Sequence, residues 1–299
     1  MAEGIALAEG SLRATIRPGQ GGAVGRFDLV RGDRREPVFR PETGDGETAP
    51  FRLASNVLVP WSNRVSGGGF SFRGRRYELA PNLAGEPFPI HGNGFSSVWD
   101  VVERDGRSVR LRLESEGPGP YRYLALLTYA LGEGALSMAL EVTNRADAPL
   151  PYGLGFHPWL VREADTTLFA PARQVWLEDG RHLPAGSAPV AIPPEWDFSI
   201  PKPLPSGFIN NGFVGWSGTA RVAWPGRRLR LEITASPNLS TAIIYSPGAD
   251  ADFFCFEPVS HPVDAFNLPG GPEANGLVVL EPGEKTSASA RFTVSETKT

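Results

Sequence analysis

Apolar residues in this chain recur with a two-residue period, and a turn signal closes almost every such run. Val109, Leu111 and Leu113 alternate with Arg110, Arg112 and Glu114, so an extended segment here buries one face and wets the other. Asp105-Gly106, a strong hairpin pair, joins residues 108–114 to residues 98–103. Leu136, Met138, Leu140 and Val142 repeat the alternation after Gly132-Glu133-Gly134. Val222 and Trp224, then Leu229, Leu231 and Ile233, bracket Pro225-Gly226. Phe70-Ser71-Phe72 and Arg76-Tyr77-Glu78-Leu79 flank a glycine-containing tip, and a last strand is predicted near 288–294. The 35 glycines and 29 prolines interrupt most candidate helices, and no apolar stripe of helical period exceeds two turns. The expectation is an all-β fold, a large antiparallel β-sandwich. With no linker and no repeat of fixed period, one domain over residues 1–299 is the simpler organisation.

Charge and composition narrow the possible partners. Net charge is -4 with no long run of either sign. The densest basic cluster, Arg73-Gly74-Arg75-Arg76, reads as a solvated hairpin tip, whereas nucleic-acid binding needs a broader basic face. The single cysteine, Cys255, excludes an intramolecular disulfide framework. Met1-Ala2-Glu3-Gly4 lacks the basic and apolar regions of a signal peptide, and the most apolar stretch, 121–131, is too short to span a bilayer. A soluble, cytoplasmic protein with neither nucleic acid nor membrane as partner is expected.

Three of the four histidines sit in short turn-like segments, and one glutamate is framed in a similar way. The segments are Pro89-Ile90-His91-Gly92-Asn93-Gly94, Gly155-Phe156-His157-Pro158-Trp159 and Phe254-Cys255-Phe256-Glu257-Pro258-Val259-Ser260-His261. Imidazole titrates near neutrality and can donate or accept, and a carboxylate can act as the opposing base. Proton-transfer chemistry is therefore the leading expectation. With a two-residue period Phe253, Cys255 and Glu257 share one face, and Phe254 and Phe256 the other. Pro258 and Pro158 are expected to end their strands, leaving Glu257 and His157 at strand termini. Aromatic surface there should desolvate the Glu257 carboxyl and raise its pKa. Arg64 closes Pro60-Trp61-Ser62-Asn63-Arg64, and its fork of donors suits sugar hydroxyls or a carboxylate. Trp61, Trp159 and Trp216 lie beside polar turn residues, where an indole face can stack on a sugar.

In their order along the chain these blocks resemble the aldose 1-epimerase (galactose mutarotase) family. The likeness rests on Pro60-Trp61-Ser62-Asn63-Arg64 and the Phe70-Ser71-Phe72 hairpin, Ile90-His91-Gly92, Gly155-Phe156-His157-Pro158-Trp159, and Glu257-Pro258-Val259-Ser260-His261 with Asp264-Ala265 and Asn267. The resemblance implies a galactose mutarotase-like supersandwich with a sugar cleft on one face. It implies Glu257 as base on the anomeric hydroxyl and His157 as acid on the ring oxygen, with His91 and Arg64 assisting in binding. Ile209-Asn210-Asn211-Gly212-Phe213 falls where the family usually carries an aspartate, so Asn210 becomes a neutral substrate contact. Trp159 replaces the family's more usual Tyr or Phe, and His261 is a further imidazole that could touch substrate. Such a reaction needs no nicotinamide, metal or covalent adduct, and its partner is a monosaccharide.

Three rivals remain at this stage. A glycoside hydrolase would pair Glu257 with Asp252 or Asp264 across one bond. A metal-dependent β-barrel enzyme needs close ligand spacing such as His-x-His, which is missing from the sequence. A non-catalytic sugar-binding or sensing module could use the same sandwich. The sugar is equally open: neutral, or a hexose bearing phosphate or sulfonate. Nothing in the sequence sets an oligomeric state.

Overall fold

The computed structural model describes residues 4–43 and 50–297. Among these residues the strands build two large antiparallel sheets. One is ten-stranded and follows the path Ile5–Glu9, Leu12–Arg17, Ala23–Arg31, Ser55–Leu58, Gly155–Val161, Phe253–Val259, Thr241–Ser246, Ile209–Val214 and Gln174–Trp176, with Arg34–Pro37 paired to the side of Ala23–Arg31. The other is nine-stranded: Lys202–Pro203, Thr167–Phe169, Thr219–Trp224, Leu229–Ala235, Lys285–Glu296, Ala135–Asn144, Tyr123–Gly132, Ser108–Ser115 and Asp100–Arg104. The hairpins expected at Asp105-Gly106, Gly132-Glu133-Gly134 and Pro225-Gly226 all form within this second sheet. The one α-helix among the described residues, Gly271–Ala274, is a single turn.

Alternation explains why the sheets stack. Along Tyr123–Gly132 every second residue is buried and the intervening ones are partly open. Rows of this kind on both sheets supply one continuous core, in which Phe39 meets Phe292 edge-on at 5.1 Å. Each fully buried aliphatic or aromatic side chain contributes about 1.5–3 kcal/mol, so the stacked faces outweigh any local helical preference. Trp224 ties the layers together by donating its indole N–H to the Val161 carbonyl at 2.9 Å. The Tyr129 hydroxyl does the same to Gly22 at 2.7 Å.

Pro158 and Pro258 do not end their strands, contrary to the sequence expectation. Gly155–Val161 and Phe253–Val259 run through them as neighbours in the middle of the ten-stranded sheet. The seam between them accommodates both imino residues by giving up ladder bonds: pairing holds at Gly155↔Val259 and resumes at Trp159↔Cys255. Among the described residues no helix is long and apolar enough to cross a membrane.

Candidate active site

The site grows from the same two strands. In Phe253–Val259 the side chains of Phe254 and Phe256 enter the main core, while Val259 packs with Leu58 and Ile243 on the opposite face. The two-residue period puts Glu257 on that second face. Register then lines up side chains across the sheet: Trp159, Cys255, Tyr245 and Asn210 form one row. Glu257 faces Ile243 and Gly212 in the next row, and the same count sets His157 opposite Glu257. Above these rows lies a cavity of about 260 Å³, lined by Phe51, Asn63, Arg64, Ile90, His91, His157, Trp159, His182, Phe208, Asn210, Tyr245 and Glu257.

His157 and Glu257 face one another at its floor, with Nε2 3.4 Å from Oε1 and both side chains buried. Glu257 Oε2 and His157 Nδ1 have no hydrogen-bond partner in the protein. Burial favours the uncharged form of each group. It raises the Glu257 carboxyl to about 8, against a smaller opposing pull from the Arg64 charge, and lowers His157 to about 3. The His157 ring lies parallel to Trp159, their centroids 5.1 Å apart and 7° from coplanar, so indole stacking fixes the imidazole plane.

His91 arrives from a separate turn. Its backbone is left-handed at φ 59°, followed by Gly92 at φ 66°. The Asn82 carboxamide holds this turn by donating to the Ile90 carbonyl at 2.8 Å and accepting the Ile90 N–H at 2.8 Å. The backbone N–H of Asn63 donates to His91 Nδ1 at 2.9 Å. That bond fixes the tautomer: the neutral ring carries its proton on Nε2, a donor for whatever occupies the cavity. Burial, reinforced by the neighbouring His157 imidazole and the Arg64 charge, holds His91 well below the ordinary imidazole value.

The remaining expected residues divide. Arg64 lines the cavity, but its guanidinium is a two-point partner of Glu86, Nε to Oε1 at 3.1 Å and NH2 to Oε2 at 2.7 Å. Asn210 also lines it, with its amide donating to Glu178 Oε2 at 2.7 Å. His261 must be corrected. It is buried away from the cavity lining, accepts the Ser62 N–H at Nε2 (3.1 Å) and donates from Nδ1 to the Pro262 carbonyl (2.8 Å). Both nitrogens are consumed, so this imidazole braces the Pro60–Arg64 turn and has none left for a sugar. Among the three tryptophans offered for stacking, only Trp159 lines the cavity. Trp61 packs against Tyr121 and Phe266, and Trp216 against Phe256.

Sequence reasoning missed His182, Phe208, Tyr245 and Phe51. His182 sits at φ 61° in the loop after Glu178, exposed enough to look like an ordinary surface turn. Its one local sign was the Asp179-Gly180 turn pair preceding it. Among the described residues no three of His, Cys, Asp and Glu gather as a metal site would require.

A cavity lined by three imidazoles and one carboxylate thus lies over the central strands of a two-sheet sandwich, and both the sequence and the fold of this chain have known relatives. The family model for aldose 1-epimerase covers residues 5–293, and the chain belongs to that family. "Uncharacterized protein YphB" of Escherichia coli K12 is 34% identical over 296 residues, covering 96% of this chain and 97% of its own. A crystal structure from Escherichia coli K12 superposes with a TM-score of 0.89 at 32% identity, over 98% of this chain and 99% of that one. A galactose mutarotase-like protein from Clostridium acetobutylicum shares the fold, with a TM-score of 0.84 at 19% identity over 98% and 95% of the two chains.

Proposed function

We propose that this protein is an aldose 1-epimerase that interconverts the α and β anomers of a monosaccharide by acid–base ring opening, with Glu257 as base and His157 as acid. The observation that carries the reading is the buried His157–Glu257 pair at 3.4 Å, which lines the cavity with Glu257 Oε2 left without a hydrogen-bond partner in the protein.

The cyclic sugar binds with its C1 hydroxyl donating to Glu257 and its ring oxygen accepting from His157. Hydrogen bonding to the charged forms offsets the desolvation that disfavours them, so the pair becomes carboxylate and imidazolium. Glu257 then takes the C1 hydroxyl proton, the C1 carbonyl forms, the bond from C1 to the ring oxygen breaks, and that oxygen takes the proton from His157. The pair ends neutral, which is the state burial prefers in the empty pocket. Desolvation thus pulls the proton in the direction ring opening needs. Rotation about C1–C2 exposes the other carbonyl face, and closure returns both protons. His91 Nε2–H supplies a fixed donor beside the ring, and the Trp159 and Phe51 rings offer apolar wall to the sugar.

A glycoside hydrolase is less well supported, because Glu257 is the one carboxylate among the described cavity-lining residues and that chemistry needs two. Asp264 is spent on the Ser66 N–H at 2.8 Å and on Asn267. Polarimetry of a freshly dissolved pure anomer tests the proposal. Wild type accelerates the approach to the equilibrium rotation, and Glu257→Gln slows it by about 10²–10⁴-fold while still binding sugar. A sugar-binding module would retain affinity and accelerate nothing in either form.

A further inference from the structure

Arg40 reaches the proton-transfer pair from behind, through the Trp159 ring. Phe39 bridges Leu160 and enters the main core, so the alternation of an extended chain turns Arg40 to the opposite face, the one that carries Trp159 and His157. The Arg40 backbone N–H donates to the Trp159 carbonyl at 2.6 Å, which fixes this register. Its guanidinium carbon lies 4.0 Å from the Trp159 ring centroid and 4.4 Å from that of Phe253. Phe253 pairs with Val161, two residues beyond Trp159 and away from His157. A cation touching both rings approaches the indole from that remote end, so the order along the strand is guanidinium, indole, imidazole.

The same guanidinium is tied to the cavity wall. Its NH2 donates to the Phe51 carbonyl at 2.6 Å. The Phe51 ring in turn lies 6.1 Å from the rings of both His157 and Trp159, and 5.9 Å from that of His91. Arg40 thus grips Trp159 by backbone and ring and Phe51 by backbone, and both aromatic residues line the cavity. Two aromatic faces and a carbonyl surround the charge, with no carboxylate within ion-pair reach among the described residues. Burial disfavours the charge more than the neighbouring Cys255, Asp252 and Tyr245 favour it. A cation held against aromatic faces, outside any carboxylate fork, keeps its field on its neighbours.

We propose that Arg40 is a positioning residue for proton transfer: clamped between the Trp159 ring and the Phe51 carbonyl, it holds the indole against which His157 stacks and sets a fixed positive charge behind that imidazole. In ring opening His157 gives its proton to the ring oxygen, so both the direction of its N–H and the cost of the imidazolium count. The parallel indole sets one imidazole plane, and an indole gripped at its far end cannot drift. The charge acts in the same sense. Burial is the largest influence on the His157 proton affinity, a bond to its own backbone opposes it, and the Arg40 charge adds to burial. The other charged or titratable groups around the ring are Glu257 at 3.4 Å, His91 with its ring centroid 5.4 Å away, and Arg64, which is paired with Glu86. Cys255 and Tyr245 continue the Trp159 row. Raising the energy of the imidazolium brings the sugar complex closer to the ring-opened state, in which that proton has left. The inference rests on the acid role proposed for His157, and a titration without sugar separates the two.

The test compares wild type with Arg40→Lys, Arg40→Met and Arg40→Gln, by exchange NMR on glucose and galactose and by titration of protein carrying ring-15N histidine. The chain has four histidines, and His157→Gln identifies the signals of His157. Arg40→Met should lower kcat about tenfold with KM held within about threefold, the split expected of a group that steers the chemical step and not sugar binding. Arg40→Lys keeps a cation able to rest on the indole and should stay within about threefold of wild type in kcat. His157 should take up its proton at higher pH in Arg40→Met than in wild type or Arg40→Lys. Arg40→Gln keeps a donor for the Phe51 carbonyl without the charge, and its His157 titration should follow Arg40→Met. An Arg40→Met or Arg40→Gln enzyme with wild-type kcat and wild-type His157 titration overturns the inference. So do equal losses of kcat in all three variants that track an equal fall in melting temperature, the mark of a purely structural part. If wild type exchanges no anomers while the His157 titration moves in the uncharged variants alone, the positioning role stands and the epimerase reading falls. If wild type exchanges anomers and that titration stays in place, the inference falls alone.

Discussion

Pro158 and Pro258 stand on adjacent central strands, one on each side of the His157–Glu257 pair, and both imino nitrogens face the seam between those strands. The Trp159 N–H bonds outward to Ala54, whereas those of Arg162 and Ser260 cross the seam to Asp252 and Leu154. Even-numbered residues therefore point across it, and the two prolines delete donors there. The ladder is interrupted where the proton-transfer pair sits, although proline is normally kept out of central strands. Pro258→Ala should restore one donor and draw the strands together. Anomer exchange is expected to fall roughly ten- to a hundredfold, since small displacements of reacting groups are costly, with little change in melting temperature. A variant exchanging at the wild-type rate would show that the gap has no bearing on catalysis.

The protonation of the pair sets the pH profile. Below about 3, His157 gains a proton while Glu257 keeps its own, and the site has no base. Above about 8, Glu257 loses its proton while His157 is neutral, and the site has no acid. Between these limits the pair shares one proton, which is a property of the pair as a unit. The profile of kcat/KM should be flat across neutral pH with an alkaline limb near 8, measured by polarimetry corrected for base-catalysed background. A limb centred near pH 6 would indicate an unperturbed histidine instead.

Stability should move with the same carboxyl. Its folded pKa lies above the ordinary 4.5, so its contribution is complete below that value and is lost as pH rises through about 8. Glu257→Gln removes the need to ionise a buried group. The variant should melt a few degrees higher than wild type in alkaline buffer, with the difference vanishing near pH 4. Calorimetric scans showing the opposite trend would mean that the carboxylate is well solvated or paired.

Gly92 supports His91 through a close approach that leaves no room for a methyl group. A Cβ there would lie 2.2 Å from the Val59 carbonyl oxygen and 2.5 Å from Pro60 Cδ, in a left-handed backbone. Gly92→Ala should cost about 1–3 kcal/mol of stability and weaken sugar binding by displacing the His91 donor. Denaturant titration and ligand calorimetry together would show whether both losses occur.

The sandwich was legible because alternation and hairpin pairs are local signals, and the strands Ser108–Ser115, Ala135–Asn144, Thr219–Trp224 and Leu229–Ala235 carry them. His91, His157 and Glu257 were legible because each lies in a distinctive short block. His182 and Tyr245 were not, because long-range register brings them in. Tyr245 reaches the site through its pairing with Asn210, and His182 through a loop whose composition matches any exposed turn. His261 misled for the opposite reason. It shares a block with Glu257, yet past Val259 the chain turns away, and the Ser62 N–H and the Pro262 carbonyl claim the two nitrogens of its ring. The prolines misled because a residue that usually stops a strand is tolerated where two of them share one seam.

The most direct measurement is anomer exchange by saturation-transfer NMR in Glu257→Gln, His157→Gln and the double variant, each checked for sugar binding. If base and acid are two ends of one proton transfer, either substitution removes most of the acceleration, and the double variant is no slower than the worse single one. Losses that multiply, or a single variant that exchanges as fast as wild type, would contradict a shared-proton pair at the cavity floor.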